Sequence, residues 1–221
     1  MLEDVLLLNA YHHRAAGAIA EIIIKLAKAK FVVAISGESG SGKSEMGHAV
    51  GKALKKMTIS SKILHIDNYY NTLPTERTRI RKEKGVESIG YNEYRWDKIN
   101  EDIDAFRTDS KASLPCIDLI TDRVDTLITD FSGISVLIIE GLYAIKAESD
   151  LKFFIDLTYH DTKKAQIVRG KEPENEFRLK ILEQEHKVVQ SLRDKVDYFI
   201  TRDFLVLKKN GIVTCKKQRQ K

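Results

Sequence analysis

Phe31-Val32-Val33-Ala34-Ile35-Ser36 runs directly into Gly37-Glu38-Ser39-Gly40-Ser41-Gly42-Lys43-Ser44, and this junction decides the fold. The first stretch is continuously apolar and β-branched, without alternation, as expected of a parallel strand buried on both faces. Gly37 and Gly42 then bracket four residues and lead into Lys43-Ser44. This is the pattern G-x-x-x-x-G-K-[ST], a loop whose backbone N–H groups surround phosphate oxygens. The pattern over 43–57 is helical, so the loop stands between a buried strand and a helix whose positive dipole end faces the anion. In that setting Lys43 reaches the β- and γ-phosphates and Ser44 ligands Mg²⁺. Gly37, Glu38, Ser39, Gly40, Ser41, Gly42, Lys43 and Ser44 are therefore candidates for cofactor binding, with ATP and Mg²⁺ as the expected cofactors.

Working outward, 62–67 reads as a second buried strand, 136–140 as a third, 151–157 as a fourth and 197–201 as a weaker fifth. Helical patterns lie at about 94–107, 161–170 and 176–194. Strands alternating with helices imply a three-layer α/β/α domain on a mostly parallel, five-stranded sheet. An alternating stretch over 112–128 suggests a β-hairpin insert. A second hairpin is expected from 204–209 and 212–216, joined by Asn210-Gly211, because Asn-Gly supplies the positive φ values of a type I′ turn. Residues 1–30 carry Leu8, Tyr11, Ala15, Ile19, Ile22 and Leu26 at helical spacing, an amphipathic helix that packs on the domain or on a second subunit of a homo-oligomer. Boundaries follow at 1–30 for that helix, 31–203 for the nucleotide-binding domain and 204–221 for the terminal hairpin and basic tail.

The chain has 221 residues, 43% of them hydrophobic, which suits one α/β domain. Its net charge of +5 fits an anionic ligand, and a phosphorylated small molecule explains it without nucleic acid. Cys116 and Cys215 are the two cysteines, with no partner at metal-ligand spacing, so neither zinc nor a disulfide framework is expected. Acidic residues near the start and charges inside the apolar stretches argue against a signal peptide or a membrane span, and a cytoplasmic location is the expectation.

Transfer of a phosphoryl group to an alcohol requires a positioned base, a metal and cations around the transferred group. Asp67 and Glu140 are the leading carboxylates, because each ends an expected parallel strand and the carboxyl ends of such strands form the ligand crevice.

Gly37 to Ser44 written as GESGSGKS, Ile66-Asp67-Asn68-Tyr69-Tyr70 and Leu137-Ile138-Ile139-Glu140-Gly141-Leu142-Tyr143 occur in that order. Together they resemble the uridine kinase and phosphoribulokinase family of P-loop kinases, over about residues 31–201. The resemblance implies a P-loop NTPase fold and an ATP-dependent phosphotransferase acting on a hydroxyl of a small nucleoside or sugar-type acceptor. It makes Asp67 the catalytic base, Tyr70 an aromatic neighbour of the substrate and Glu140 a metal-side acid beside Ser44. The family's arginine-bearing lid falls here at about 169–178, so Arg169 and Arg178 become phosphate contacts alongside Lys43. In the acceptor region the pattern differs. Tyr91-Asn92-Glu93-Tyr94-Arg95-Trp96 replaces the family's Asn-Phe-Asp-His-Pro segment, Ile117 replaces a base-contacting tyrosine, and Asp122 stands where a histidine is expected.

Thr75 to Lys84 reads TERTRIRKEK. Such a charge run is ordinarily a solvated face; the alternative is that Arg77 and Arg79 fork onto an anionic group of the acceptor. His65 reads as a packed strand residue, Trp96 and Tyr94 as anchors of a helix to the sheet, and His12, His13 and His186 carry no assigned chemistry. A nucleotide-dependent switch is the other functional class, as is a nucleotide-binding protein without kinase activity. Against a switch, no Asn-Lys-x-Asp guanine signature occurs, the nearest string being Asp194-Lys195-Val196-Asp197.

Overall fold

A computed structural model of the chain describes residues 6–163 and 175–209. Strand β1 (Phe31–Gly37) is buried along its whole length, as its unbroken apolar sequence requires. Its side chains divide between two cores: Val32 and Ala34 face one, while Phe31, Val33 and Ile35 face the other. Beside it lie β2 (Ser61–His65), β5 (Val136–Glu140), β6 (Leu151–Ile155), β7 (Tyr198–Ile200) and β8 (Val206–Lys208). The order across the sheet is β2-β5-β1-β6-β7-β8. Every neighbouring pair is parallel except β7 and β8, which run antiparallel.

Helices α1 (Ala10–Leu26) and α2 (Lys43–Lys56) cover one face. On the other lie α4 (Trp96–Arg107), through Ile99, Ile103 and Phe106, and α5 (Glu176–Gln190), through Val189. The result is the expected three-layer α/β/α arrangement. Full burial of each such Ile or Phe contributes ~1.5–3 kcal/mol. The hairpin insert forms from β3 (Lys111–Asp118) and β4 (Arg123–Asp130), paired antiparallel with Leu114 opposite Leu127.

Two expectations change, and one stretch left without an assigned element acquires one. The sheet has six strands, not five: the turn after β7, with Phe204 at φ +57°, sends 206–208 back against β7 to finish the sheet edge. The remainder of the expected terminal hairpin, Asn210-Gly211 and beyond, lies outside the described residues. Helix α1 buries Ala15, Ala16, Ile19, Ala20 and Ile23, while Tyr11 and Leu26 are exposed, so its buried stripe is rotated from the one expected and is made mostly of alanine. Small residues allow the close approach to α2. Finally, the basic stretch forms a helix, α3 (Pro74–Lys84), with proline in its first turn, where the missing N–H costs nothing.

Candidate active site

The sheet aligns its carboxyl ends along one edge. Parallel pairing sets His65 of β2 opposite Glu140 of β5, and Glu140 opposite Ile35 of β1, two residues before Gly37. The phosphate loop, the acid and the end of β2 are thus neighbours by register alone.

The loop enters α2 through Gly42 at φ +89°, a left-handed conformation that favours glycine. Ser41 N–H donates to Glu38 O at 3.1 Å and Met46 N–H to Gly42 O at 2.9 Å, leaving the loop curled around its own amides. Lys43, 9% exposed, donates from Nζ to Glu38 O at 2.8 Å. Ser44 Oγ donates to Glu140 Oε1 at 3.0 Å. His65 Nδ1 reaches the same oxygen at 2.5 Å. Burial alone would raise the Glu140 pKa; the hydrogen bond and charge of His65, with Lys43 and Ser44, outweigh it and hold the carboxyl below its ordinary value. A buried anionic oxygen beside a hydroxyl at the first turn of a helix is the hard donor set that suits Mg²⁺. The residues present therefore fit the ion that the loop implies.

Beyond β2 the chain turns through a short 3-10 helix, Ile66–Tyr69, which carries Asp67. Gly141 makes this turn fit. At φ +150° it follows Glu140, and a Cβ there would lie 2.1 Å from Ile66 Cγ1. Tyr70 lies at the end of the same turn, buried, with the Arg77 guanidinium 3.4 Å above its ring. The ring also packs on Tyr94 at 4.1 Å, and Tyr94 in turn on Tyr143 at 5.5 Å. Burial first, then the Asp67 charge, pushes the Tyr70 hydroxyl well above its ordinary value, so the group stays a neutral phenol. Asn68 Oδ1 accepts from Ile117 N–H at 3.1 Å, holding β3 over this side.

The other expected residues distribute unevenly. Arg178 Nη2 lies 3.4 Å from Ser39 Oγ, so α5 brings it to the phosphate loop. It also lines a cleft of about 410 Å³ with Thr78, Lys82, Phe177 and Lys180. Arg169 lies outside the described residues. Arg79 is 60% exposed and pairs with Glu83 and Glu76 along α3. Asp122, in the turn between β3 and β4, pairs with Thr75 in the first turn of α3, through backbone N–H at 3.4 Å and through the hydroxyl.

Several residues near the site escaped the sequence reading. His65 is no simple core residue, since its ring holds Glu140. His186 and Gln190 both donate to Glu38 Oε1, at 2.7 and 2.5 Å. Four positions apart on a helix, they share a face, which is the one signal the sequence offered. His12 is buried at the start of α1, its Nε2 3.2 Å from where a Cβ on Gly42 would sit. Burial lowers its pKa, keeping a neutral ring against the loop. Within the basic stretch, Arg81 is 5% exposed and forks onto Glu93 at 2.6 and 2.9 Å, with Glu185 at 3.4 Å. It ties α3 to the 91–94 turn and to α5. Trp96 donates from Nε1 to Tyr91 O at 2.7 Å, which anchors the start of α4.

Comparison with known proteins agrees with this geometry. The family model described as Phosphoribulokinase / Uridine kinase family matches residues 32–168, more than half of the chain. A uridine kinase of Ureaplasma urealyticum is 26% identical over 175 residues, covering 76% of this chain and 83% of that one. Among solved structures, D-glycerate 3-kinase from Cryptococcus neoformans superimposes with a TM-score of 0.57 at 12% identity, covering 90% of this chain and 99% of that one. Phosphoribulokinase from Rhodobacter spheroides gives a TM-score of 0.57 at 12% identity, covering 77% of this chain and 69% of that one. Among the described residues no helix is long and apolar enough to cross a membrane. The chain belongs to the phosphoribulokinase / uridine kinase family, and is a phosphotransferase with an alcohol group as acceptor.

Proposed function

We propose that the protein transfers the γ-phosphoryl group of ATP to a hydroxyl of a small nucleoside or sugar-type acceptor, with Mg²⁺ bound at Ser44 and Glu140. The observation that carries this reading is the contact of Ser44 with Glu140 at 3.0 Å, which joins the phosphate loop to a strand-end acid, with Asp67 in the 3-10 turn that follows the neighbouring strand β2. The uridine kinase relative supports a nucleoside acceptor, and the likeness to sugar-phosphate and glycerate kinases is one of fold.

Each residue has a distinct task. Lys43 exchanges the Glu38 carbonyl for phosphate oxygens, keeping its charge satisfied throughout. Arg178, beside Ser39, balances negative charge on the transferred group. Asp67 takes the proton of the attacking hydroxyl, a role worth roughly 10²–10⁴ in rate. Tyr70 and Arg77 wall the acceptor side beside it, since the sheet order puts β2 on the far side of β5 from the loop. When bound, Mg²⁺ spreads charge over the phosphate oxygens. The test is ADP release from Mg-ATP against nucleosides, sugar phosphates, glycerate and pantothenate. Stimulation by one acceptor, lost in Asp67→Asn, supports the reading; turnover that no acceptor alters would instead favour a nucleotide switch.

A further inference from the structure

The side chain of Glu38 is out of place in a loop that binds polyphosphate. A carboxylate there repels the ligand by Coulomb's law, and burying it without partners is costly. Yet Glu38 is 2% exposed, and its two oxygens accept three hydrogen bonds. His186 Nδ1 and Gln190 Nε2 donate to Oε1 at 2.7 and 2.5 Å, and Tyr159 N–H donates to Oε2 at 2.8 Å. Its neighbour Ser39 is held in parallel: Thr162 Oγ1 donates to Ser39 O at 3.0 Å and Arg178 Nη2 meets Ser39 Oγ at 3.4 Å. Two adjacent loop residues are therefore fastened to the chain before residue 164 and to the helix after residue 174.

On α5 the three contacting residues stand at 178, 186 and 190, multiples of four apart, and so follow one row along the helix. Arg178 contacts the loop from the first turn, and His186 with Gln190 do so from the last two. The orientation of Arg178 depends on the angle at which α5 crosses the loop, and the Glu38 carboxylate fixes the far end of that helix. The remaining wall is consistent with a fixed end: Tyr159, whose hydroxyl donates to Glu183 at 2.8 Å, packs its ring at 5.7 Å from His186.

We propose that Glu38 is a positioning residue: its carboxylate, gripped by His186 and Gln190, sets α5 so that Arg178 addresses the phosphates bound in the loop. The proposal rests on the reading of Gly37 to Ser44 as an ATP site. It separates Glu38 from the other loop residues, which act through backbone amides or, for Lys43 and Ser44, by direct contact.

The test is a double-mutant cycle on the affinity for Mg-ATP, measured by titration calorimetry on the full chain, which needs no knowledge of the acceptor. Arg178→Ala and His186→Leu should each weaken binding by about tenfold. The double variant should be no weaker than either single one, because the latch has nothing to position once Arg178 is gone. His186→Asn, which returns a donor near the position of Nδ1, should bind within about threefold of the natural protein. A thermal melt of each variant reports folding, so that a collapsed His186→Leu protein is replaced by Gln190→Leu in the same cycle. Losses that multiply in the double variant, or a His186→Leu protein that folds and binds Mg-ATP normally, would overturn the latch. A natural protein that fails to bind Mg-ATP at all would overturn the donor site itself, a different result from either.

Discussion

His65 and Glu140 face each other in register at the ends of two neighbouring parallel strands, with the imidazole Nδ1 2.5 Å from the carboxylate Oε1. The pairing explains how a carboxyl that is 4% exposed remains ionised and available to a cation. Desolvation works against its charge, and His65, Lys43 and Ser44 supply more than enough to reverse that.

A pH dependence follows. The folded-state pKa of Glu140 lies below its ordinary value of 4.5, so its ionisation contributes stability that is fully present above that pH. The contribution is lost as pH falls through the lowered folded value. Urea denaturation at neutral pH and near pH 4 should show a smaller acid-induced loss for Glu140→Gln than for the natural protein. Equal losses would contradict the assignment.

Asp67→Asn should lower kcat by about 10²-fold or more while the Kd for Mg-ATP changes little, because Asp67 stands in the 3-10 turn after β2 and not on the phosphate loop. A parallel loss of Mg-ATP affinity in calorimetry would show that the residue supports the donor side instead.

Gly141→Ala forces a Cβ to within 2.1 Å of Ile66 Cγ1, in a region of φ where side chains are already strained. Overpacking of this kind costs ~1–3 kcal/mol or more. Because the displaced segment carries Asp67, activity should fall beyond the stability loss. Adding Ile66→Ala removes the clashing atoms, so the double variant should be no less stable than the sum of the single ones, and by denaturation clearly more stable than that sum.

Arg81, itself buried, joins three segments through two carboxylates, the half-buried Glu93 and the buried Glu185. Arg81→Met removes the buried guanidinium from both acids and should cost ~3–5 kcal/mol, as broken buried ion pairs do. Arg81→Lys should recover only part of this, since an ammonium cannot reproduce the fork onto Glu93. Full recovery by lysine in thermal or chemical denaturation would refute the bidentate role.

The donor half of the site was readable because its information is local. The run from Phe31 to Ser44 specifies strand, turn and helix within fourteen consecutive residues, and Asp67 and Glu140 announce themselves as acids at the ends of apolar runs. Helix α3 was hidden because TERTRIRKEK has almost no apolar stripe; its stabilising contact is a buried arginine, which composition reads as a surface charge. His65 looked like strand filler because its partner is 75 positions away, and only the strand order reveals the pairing. The same applies to Glu38 and His186, whose meeting depends on how α5 returns across the loop. The pairing of β8 with β7 went unread because Asn210-Gly211 is a strong signal for a turn on the other side of β8, while the turn that places β8 against β7 includes Phe204 at positive φ, a residue with no turn preference.

The most direct test of the central claim is phosphorus NMR of the protein with Mg-ATP and each acceptor in turn. The account predicts that one acceptor yields ADP and a phosphate monoester in equal amounts, that Lys43→Ala abolishes both, and that Asp67→Asn slows both by about 10²-fold or more. Inorganic phosphate released at the same rate with every acceptor and with none would contradict it.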